Sequence, residues 1–372
     1  MDKSEYKACL QDTIKEASTK TFCSSMLKSL EQSGFIHYVD NLLAEQDESV
    51  DLTAFKTESD IVQLCEAIDK SDKVVREIEE NEFLSAYKYS VLFEIDGSKE
   101  DLIESMIKKG ELQDFQSDSF TFDLLFNDAS NTIVPTRYKV DDKVTIYKFN
   151  RLLTGFLPID GDNKREIKYP ILAVFFNDLN IVEIRIGKIK SFLRRDEYFY
   201  VRQFDFVVEW LQTNFACQLN PIDLTTAIDH ISKLEETDVI VSGQLMNLRN
   251  GAKAQLEVGN NDDYLPLLGE LKELIKTNAE LFDKSPEIKE MLDTFILETE
   301  ETSDLPWISL TWINETKSKA TKVKFSFNYM NREYSLLQYY YSSNTEMGRM
   351  NDVTRYIIES KTQVDQQLQP NG

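Results

Sequence analysis

The chain has 372 residues, with 42 basic and 65 acidic side chains, a formal net charge of -23, two histidines and four cysteines. That acidity argues against general polyanion binding, and the scarcity of His and Cys argues against zinc sites and paired-histidine enzymes. With 41% hydrophobic and 29% charged residues, the composition is that of a folded chain long enough for two or three domains.

The opening residues, MDKSEYKACL, hold no apolar signal region, and no apolar run approaches the length of a membrane span. The expectation is a cytoplasmic protein with no membrane partner. Cys9, Cys23, Cys65 and Cys217 stand far apart without a CxxC pair, so free buried thiols are expected. Abundant Lys, Ile, Asn, Asp and Glu with few Gly, Pro and His suit an AT-rich bacterial or phage genome.

In chain order, residues 1–85 form an acidic helical region. Ala8, Leu10, Ile14, Phe22, Met26, Leu27 and Leu30 precede a closing Gly34, and apolar residues from Phe35 to Leu43 and from Ile61 to Ile78 keep helical spacing. Residues 1–82 hold 19 acidic side chains against 9 basic ones, so close to half of the net charge sits on helices expected to be solvated.

Residues 86–218 are expected to form a central mixed sheet with packed helices. Tyr87, Tyr89, Val91, Phe93 and Ile95 alternate as a strand, Asp96-Gly97 turns, and Ser98–Asp101 is a capping box for a helix ending at Gly110. Phe120, Phe122, Leu124 and Phe126 alternate as the next strand of a β-α-β unit, and residues 137–156 supply one or two more.

The most apolar stretch is 169–215. Pro170 and Asn177-Asp178 bound the buried run Ile171–Phe176. Val182, Ile184 and Ile186 then alternate with Glu183 and Arg185, which predicts a half-buried strand, and the parity slip at Gly187 predicts a β-bulge. Arg185, Lys188, Lys190, Arg194, Arg195 and Arg202 are then expected on one solvent-facing patch. Tyr198–Val201 reads as a third strand, and Phe204, Val207, Val208, Leu211 and Phe215 as a buried helix.

Residues 219–304 read as a helical segment. Leu224, Ala227, Ile228, Ile231 and Leu234 share one face, and Ser285-Pro286 opens a later helix, while Asn250-Gly251 fits either a hairpin turn or a helix C-terminus. Residues 305–361 are a strand from Trp307, a β-hairpin and a helix, either completing the central sheet or standing alone. A flexible tail, 362–372, follows. The fold class expected is α+β.

Motifs mostly exclude. No GxGxxG or GxxxxGK[ST] occurs, and neither His37 nor His230 accompanies a GxSxG elbow. Carboxylate-based metal chemistry needs only Asp, Glu and Lys, and Glu166-Ile167-Lys168, preceded by Asp160 and Asp162, matches the acid-spacer-Glu-x-Lys pattern of divalent-metal nucleases. Glu315-Thr316-Lys317, Glu270-Leu271-Lys272 and Glu287-Ile288-Lys289 match it too, which shows how cheaply so short a pattern arises. A second basic surface gathers Lys317, Lys319, Lys322 and Lys324 near Tyr329, Tyr334, Tyr339, Tyr340 and Tyr341, as phosphate contacts and base stacking require; a guarded sheet edge uses the same residues.

The functional expectation is a non-catalytic interaction or regulatory subunit of an intracellular assembly, with a protein partner or a second copy of itself and no cofactor. The alternative is a nucleic-acid-binding or Mg²⁺-dependent nucleic-acid-cleaving factor, such as one of a defence or mobile-element system.

Overall fold

The structure is a computed structural model that describes residues 2–38, 49–97, 100–122, 133–156, 164–234, 238–248, 251–258, 268–301, 304–313, 320–340 and 347–368. Asp160, Asp162, Lys317 and Lys319 lie outside the described residues, as do Ser98 and Lys99 of the expected capping box. The fold is α+β with helices and strands interleaved. The chain divides into two compact units, the first Met1–Lys88 with Leu92–Asn220 and the second Tyr89–Val91 with Pro221–Gly372.

The first unit begins with α1 (Lys3–Ala17) and α2 (Lys20–Gln32). Asp2 opens α1 with a capping box: its carboxylate accepts from Glu5 N at 2.8 Å and Glu5 accepts from Asp2 N at 2.9 Å. Gly34 closes α2 at φ +72°, a left-handed value that favours glycine. Two short strands, β1 (Ile36–His37) and β2 (Val50–Asp51), pair in parallel before α3 (Asp60–Lys70) and α4 (Asp72–Leu84). Ile36–His37 is thus extended where helical spacing predicts otherwise. Leu10, Ile14, Met26, Leu30, Leu64 and Ile68 build the core of these helices.

The sheet of this unit follows from β3 (Tyr89–Asp96), which is followed by α5 (Glu100–Lys109), β4 (Gln113–Asp114), β5 (Thr136–Lys139), β6 (Val144–Phe156), β7 (Lys164–Phe176) and β8 (Ile181–Ile186). Its hydrogen-bonded order is β3-β8-β7-β6-β5-β4. β6 and β7 pair antiparallel over their full length, from Val144↔Phe176 to Phe156↔Lys164. β7 runs straight through Pro170, where a strand start is expected. Pairing with β8 begins only at Ile171↔Ile186, so the missing N–H of Pro170 lies beyond that ladder. Phe120 and Phe122 are outside any strand, and Leu124 and Phe126 fall outside the described residues, so the expected β-α-β unit is replaced by the two-residue β4.

α6 (Phe199–Asn214) starts five residues before Phe204, the first residue of its expected helical pattern. Tyr198–Val201 is not a strand: Phe199, Tyr200, Gln203, Phe204, Val207 and Leu211 form one buried helical face, and aromatic alternation over four residues is too short to compete with it. Phe206 and Trp210 meet Phe149 edge-on, with centroids 6.2 and 5.1 Å apart, which places α6 on one face of the sheet. β9 (Gln218–Pro221) pairs with β3.

The second unit contains α7 (Thr225–Lys233), β10 (Val239–Asn247), β11 (Lys253–Glu257), α8 (Leu268–Thr277), α9 (Ala279–Phe282), α10 (Pro286–Glu301), β12 (Asp304–Trp312), β13 (Thr321–Ser326), β14 (Leu336–Tyr340) and α11 (Gly348–Leu368). β10 and β11 form a hairpin around Gly251 at φ +80°, which decides the Asn250-Gly251 ambiguity. Strand order is β11-β10-β12-β13-β14, all antiparallel, and β14 pairs with Tyr89 and Ser90 of β3. β13 is therefore an interior strand rather than a guarded edge. α11 continues to Leu368 across the expected flexible tail. No described helix is long and apolar enough to cross a membrane.

Candidate functional site

The sheet face opposite α6 is unusual for its buried charge. Lys148 on β6 and Lys168 on β7 share this face, because Lys168 sits opposite Leu152, four residues along β6 from Lys148. α4 lies across it and supplies Glu79 and, one turn on, Glu82. The Lys148 ammonium donates to the Glu79 carboxylate at 2.7 Å and to Glu82 at 3.0 Å. Lys168 donates to Glu79 and, at 2.7 Å, to Glu82, while the Tyr6 hydroxyl of α1 donates to Glu79.

Burial alone would push the Glu79 carboxyl up, but the two lysines beside it win and hold it at about 2. For Lys168, burial would lower the ammonium's pKa, and Glu79 and Glu82 more than reverse this. Burial and the same two carboxylates push the Tyr6 phenol well above its ordinary range. The group is closed to substrate, since Lys168, Lys148 and Glu79 have essentially no exposed surface.

This corrects two expectations. Lys168 is not positioned near an attacking water, because its ammonium is committed to α4. Glu166, two residues before it, is part-exposed, pairs with Lys164 at 2.6 Å and accepts from Thr154 at 3.3 Å. Arg185 is 0% exposed and donates to the equally buried Glu183 on the same strand. It belongs to no solvent-facing patch, because α6 covers one face of β8 and the second, polar face is covered too. Gly187 is not a bulge, since pairing stops at Ile186.

Asn150 lies on the same buried face, 1% exposed, and neither atom of its amide has a hydrogen-bond partner among the described residues. Unmet buried amides cost free energy, so Asn150→Leu should raise the melting temperature or leave it unchanged. A drop of several degrees in a thermal melt would show that the amide is bonded in solution.

What remains of the first basic cluster is a built loop. After β8, Ile189 and Leu193 turn inward while Lys188, Lys190, Arg194 and Arg195 are exposed. The Ile189 N–H donates to the Tyr200 hydroxyl at 3.3 Å, and Leu193 N and Arg194 N donate to Lys190 O and Ser191 O, each at 3.1 Å. The loop presses on Gly155 of β6, where an added Cβ would meet Phe192 O at 2.6 Å and the Leu193 side chain at 2.9 Å. Gly155→Ala should therefore cost about 1–3 kcal/mol in urea unfolding. Wild-type stability in that variant would mean the loop does not pack there.

The second basic cluster differs. Lys322 and Lys324 are half-buried on β13, the Lys324 ammonium 3.8 Å from the Trp307 ring centroid and that of Lys322 5.8 Å from Tyr340. Burial lowers the Lys324 pKa. Both cations lie over aromatic rings of their own chain.

Other chemistry-bearing groups resolve locally. His37 has Ser49 Oγ 2.9 Å from Nδ1, but Asp51 is 3.9 Å from Nε2, too far for the aspartate–histidine hydrogen bond of a triad, and its Oδ1 accepts from Thr53 N. A cleft of about 610 Å³, lined in part by Ile103, Tyr147, Phe175 and Asn177, holds Arg137, which pairs with Asp114 at 2.6 Å and Glu104 at 2.9 Å, and Lys139, which pairs with Asp142 at 2.9 Å. The four cysteines are free and buried, and burial pushes Cys9 up to about 11. No group of three or more His, Cys, Asp or Glu side chains among the described residues is placed to hold a metal ion.

One exposed apolar feature of the described residues was missed by motif reasoning. Along α10, Ile288, Met291 and Phe295 are 52%, 68% and 58% exposed. At 100° per residue they fall within about 60° of one another, a continuous apolar stripe. Leu281 of α9 and Leu274 of α8 are also more than half exposed. Glu287 and Glu298 project within about 40° of Met291, beside the stripe. The signal was present in the sequence as IKEMLDTFIL, but periodicity cannot say which apolar positions of an amphipathic helix find cover. No protein-family model, curated protein or solved structure matches the chain.

Proposed function

We propose that this protein is a non-catalytic interaction or regulatory subunit of a macromolecular assembly, docking through the apolar stripe of α10. The observation that carries the reading is the exposure of Ile288, Met291 and Phe295 on one helical face. Water-facing apolar stripes of this kind are costly to leave open, and on folded proteins they mark binding surfaces.

The occupant is a protein with an apolar groove and a basic rim. Glu287 and Glu298 border the stripe, and Glu290 and Asp293 keep the rest of α10 acidic, with Lys289 alone opposing them among its described residues. A second copy would bring the same acids, in a chain of net charge -23, against each other. Helix-in-groove docking of this type anchors through side chains at i, i+3 and i+7, the spacing of Ile288, Met291 and Phe295.

The test is comparative. The chain and its Met291→Asp/Phe295→Asp variant are purified from source cells, and any protein retained only by the wild type is remixed as a pure component. A complex of defined mass that the variant does not form supports the reading. Identical retention by both forms contradicts it, as does a wild-type chain that pairs only with itself in sedimentation.

A further inference from the structure

We infer that the loop from Lys188 to Tyr198, with Arg202 on the first turn of α6, is a binding site for single-stranded nucleic acid, a function separate from docking through α10. The first support is an imbalance of charge. Carboxylates outnumber cations by 65 to 42 in this chain, and exposed cations such as Lys3, Lys70 and Lys233 have found acids of their own. Single lysines without an ion pair among the described residues, such as Lys28 and Lys143, occur, but the segment 188–202 gathers Lys188, Lys190, Arg194, Arg195 and Arg202 within one short, described stretch. Lys188, Lys190 and Arg194 make no ion pair with any described carboxylate, and Arg202 pairs with Asp196 at 2.9 Å.

A second cation is held close by. Lys88, which precedes β3, is half-buried, and its pKa is lowered first by burial and then by the Lys188 ammonium beside it. Like charges held together on an acidic protein raise the free energy of the empty state, and an incoming anion relieves it.

Third, the loop is held in place. The inward anchors Ile189 and Leu193, the Tyr200 hydroxyl and the close approach to Gly155 fix its path, so its backbone does not have to be ordered on binding.

The choice of nucleic acid over an acidic protein rests on Tyr198. Tyr198, the N-cap residue of α6 and three residues past Arg195, is 48% exposed. Guanidinium forks suit phosphate oxygens, and an exposed ring beside them gives an unpaired base a surface on which to stack. Duplex DNA hides its base faces and would leave the ring unused. The acidic charge elsewhere is screened beyond a Debye length of about 8 Å at physiological salt, so contact is confined to this loop and to a few nucleotides.

The experiment is fluorescence anisotropy of labelled oligo-dT and oligo-rU, each of about 20 nucleotides, with the full chain across a salt series from about 50 mM. The expected result is binding that weakens with salt at a log–log slope of about -3, for four neutralised phosphates. Arg194→Ala/Arg195→Ala should bind at least tenfold more weakly with a slope shallower by about 1.4. Tyr198→Ala should lose about fivefold or more without changing the slope. Lys233→Ala, an exposed cation elsewhere, should bind as wild type does, and circular dichroism melts of the variants should match. Three results would overturn the inference: no binding at the lowest salt, wild-type affinity in the double arginine variant, or displacement of the strand by polyglutamate as readily as by unlabelled strand. The last of these would assign the loop to an acidic protein.

Discussion

Lys168→Met should lower the unfolding free energy by about 3–5 kcal/mol, the largest single-site loss expected for this chain, because it leaves the Glu79 carboxylate buried with one of its two cations gone. The same group predicts how stability depends on pH. Glu79 sits at about 2 in the folded chain against about 4.3 for an unperturbed glutamate, a difference of about 3 kcal/mol. Its folded value is depressed, so its contribution is fully present above pH about 4.5 and is lost as pH falls toward 2. Lys168 has a raised value, so its contribution is present below pH about 10.5 and is lost above it. Urea unfolding of the wild type should therefore show a plateau between these limits, and the acid limb should be blunted in Glu79→Gln. A Lys168→Met protein of wild-type stability would mean the cluster is hydrated in solution. The triple change Glu79→Leu/Lys148→Met/Lys168→Met separates broken pairing from lost volume. It should recover most of the loss, since replacing a whole buried ion group by apolar side chains is often neutral or better.

The second large effect falls on assembly and leaves folding intact. Met291→Asp/Phe295→Asp removes two central anchors from a helix that is already exposed, so the isolated chain should melt as the wild type does or slightly higher. Its complex with the reconstituted partner should weaken by at least about 30-fold, because truncation or charging of a central interface anchor typically costs 2 kcal/mol or more. Glu287→Lys/Glu298→Lys should act mainly on the association rate and should remove much of the salt dependence, as expected of charges at a rim. Equal affinity for both double variants and the wild type would place the interface elsewhere.

Much of the fold was legible in the sequence because it rests on local signals. The helical periodicity of Leu10, Ile14, Met26 and Leu30, the glycine stop at Gly34, and the apolar run Ile171–Phe176 each have one favourable outcome and the structure adopts it. The failures share a different cause. Glu183 and Arg185 alternate with Val182, Ile184 and Ile186 in a pattern that ordinarily separates solvent from core. Here both faces are covered, and the polar face, with Lys148, Asn150 and Lys168, meets carboxylates from a helix some 70 to 90 residues earlier in the chain. Long-range pairing of that kind leaves no trace in local periodicity. Tyr198–Val201 failed for the opposite reason, since four residues satisfy both periods and only the longer register through Leu211 selects the helix.

The candidate sites were legible in part. Lys188, Lys190, Arg194 and Arg195 stand exposed as their sequence suggests, and they remain together after Arg185 is withdrawn into the core. Lys322 and Lys324 were visible as basic residues among aromatics, but sequence spacing does not show that those rings, Trp307 and Tyr340, lie beneath the ammonium groups. The apolar stripe of α10 was invisible as a site, because Ile288, Met291 and Phe295 have the same spacing as a buried face, and what marks them is their exposure among the described residues.

The measurement that bears most directly on the interaction-subunit account is photo-crosslinking in source cells, with a benzophenone amino acid placed at Met291 and, separately, at the exposed Lys233 of α7. The account predicts one discrete heavier adduct from position 291, containing a different protein with a basic surface, and none from 233. Equal adduct patterns at both positions, no adduct at 291, or an adduct made only of a second copy of this chain would contradict it.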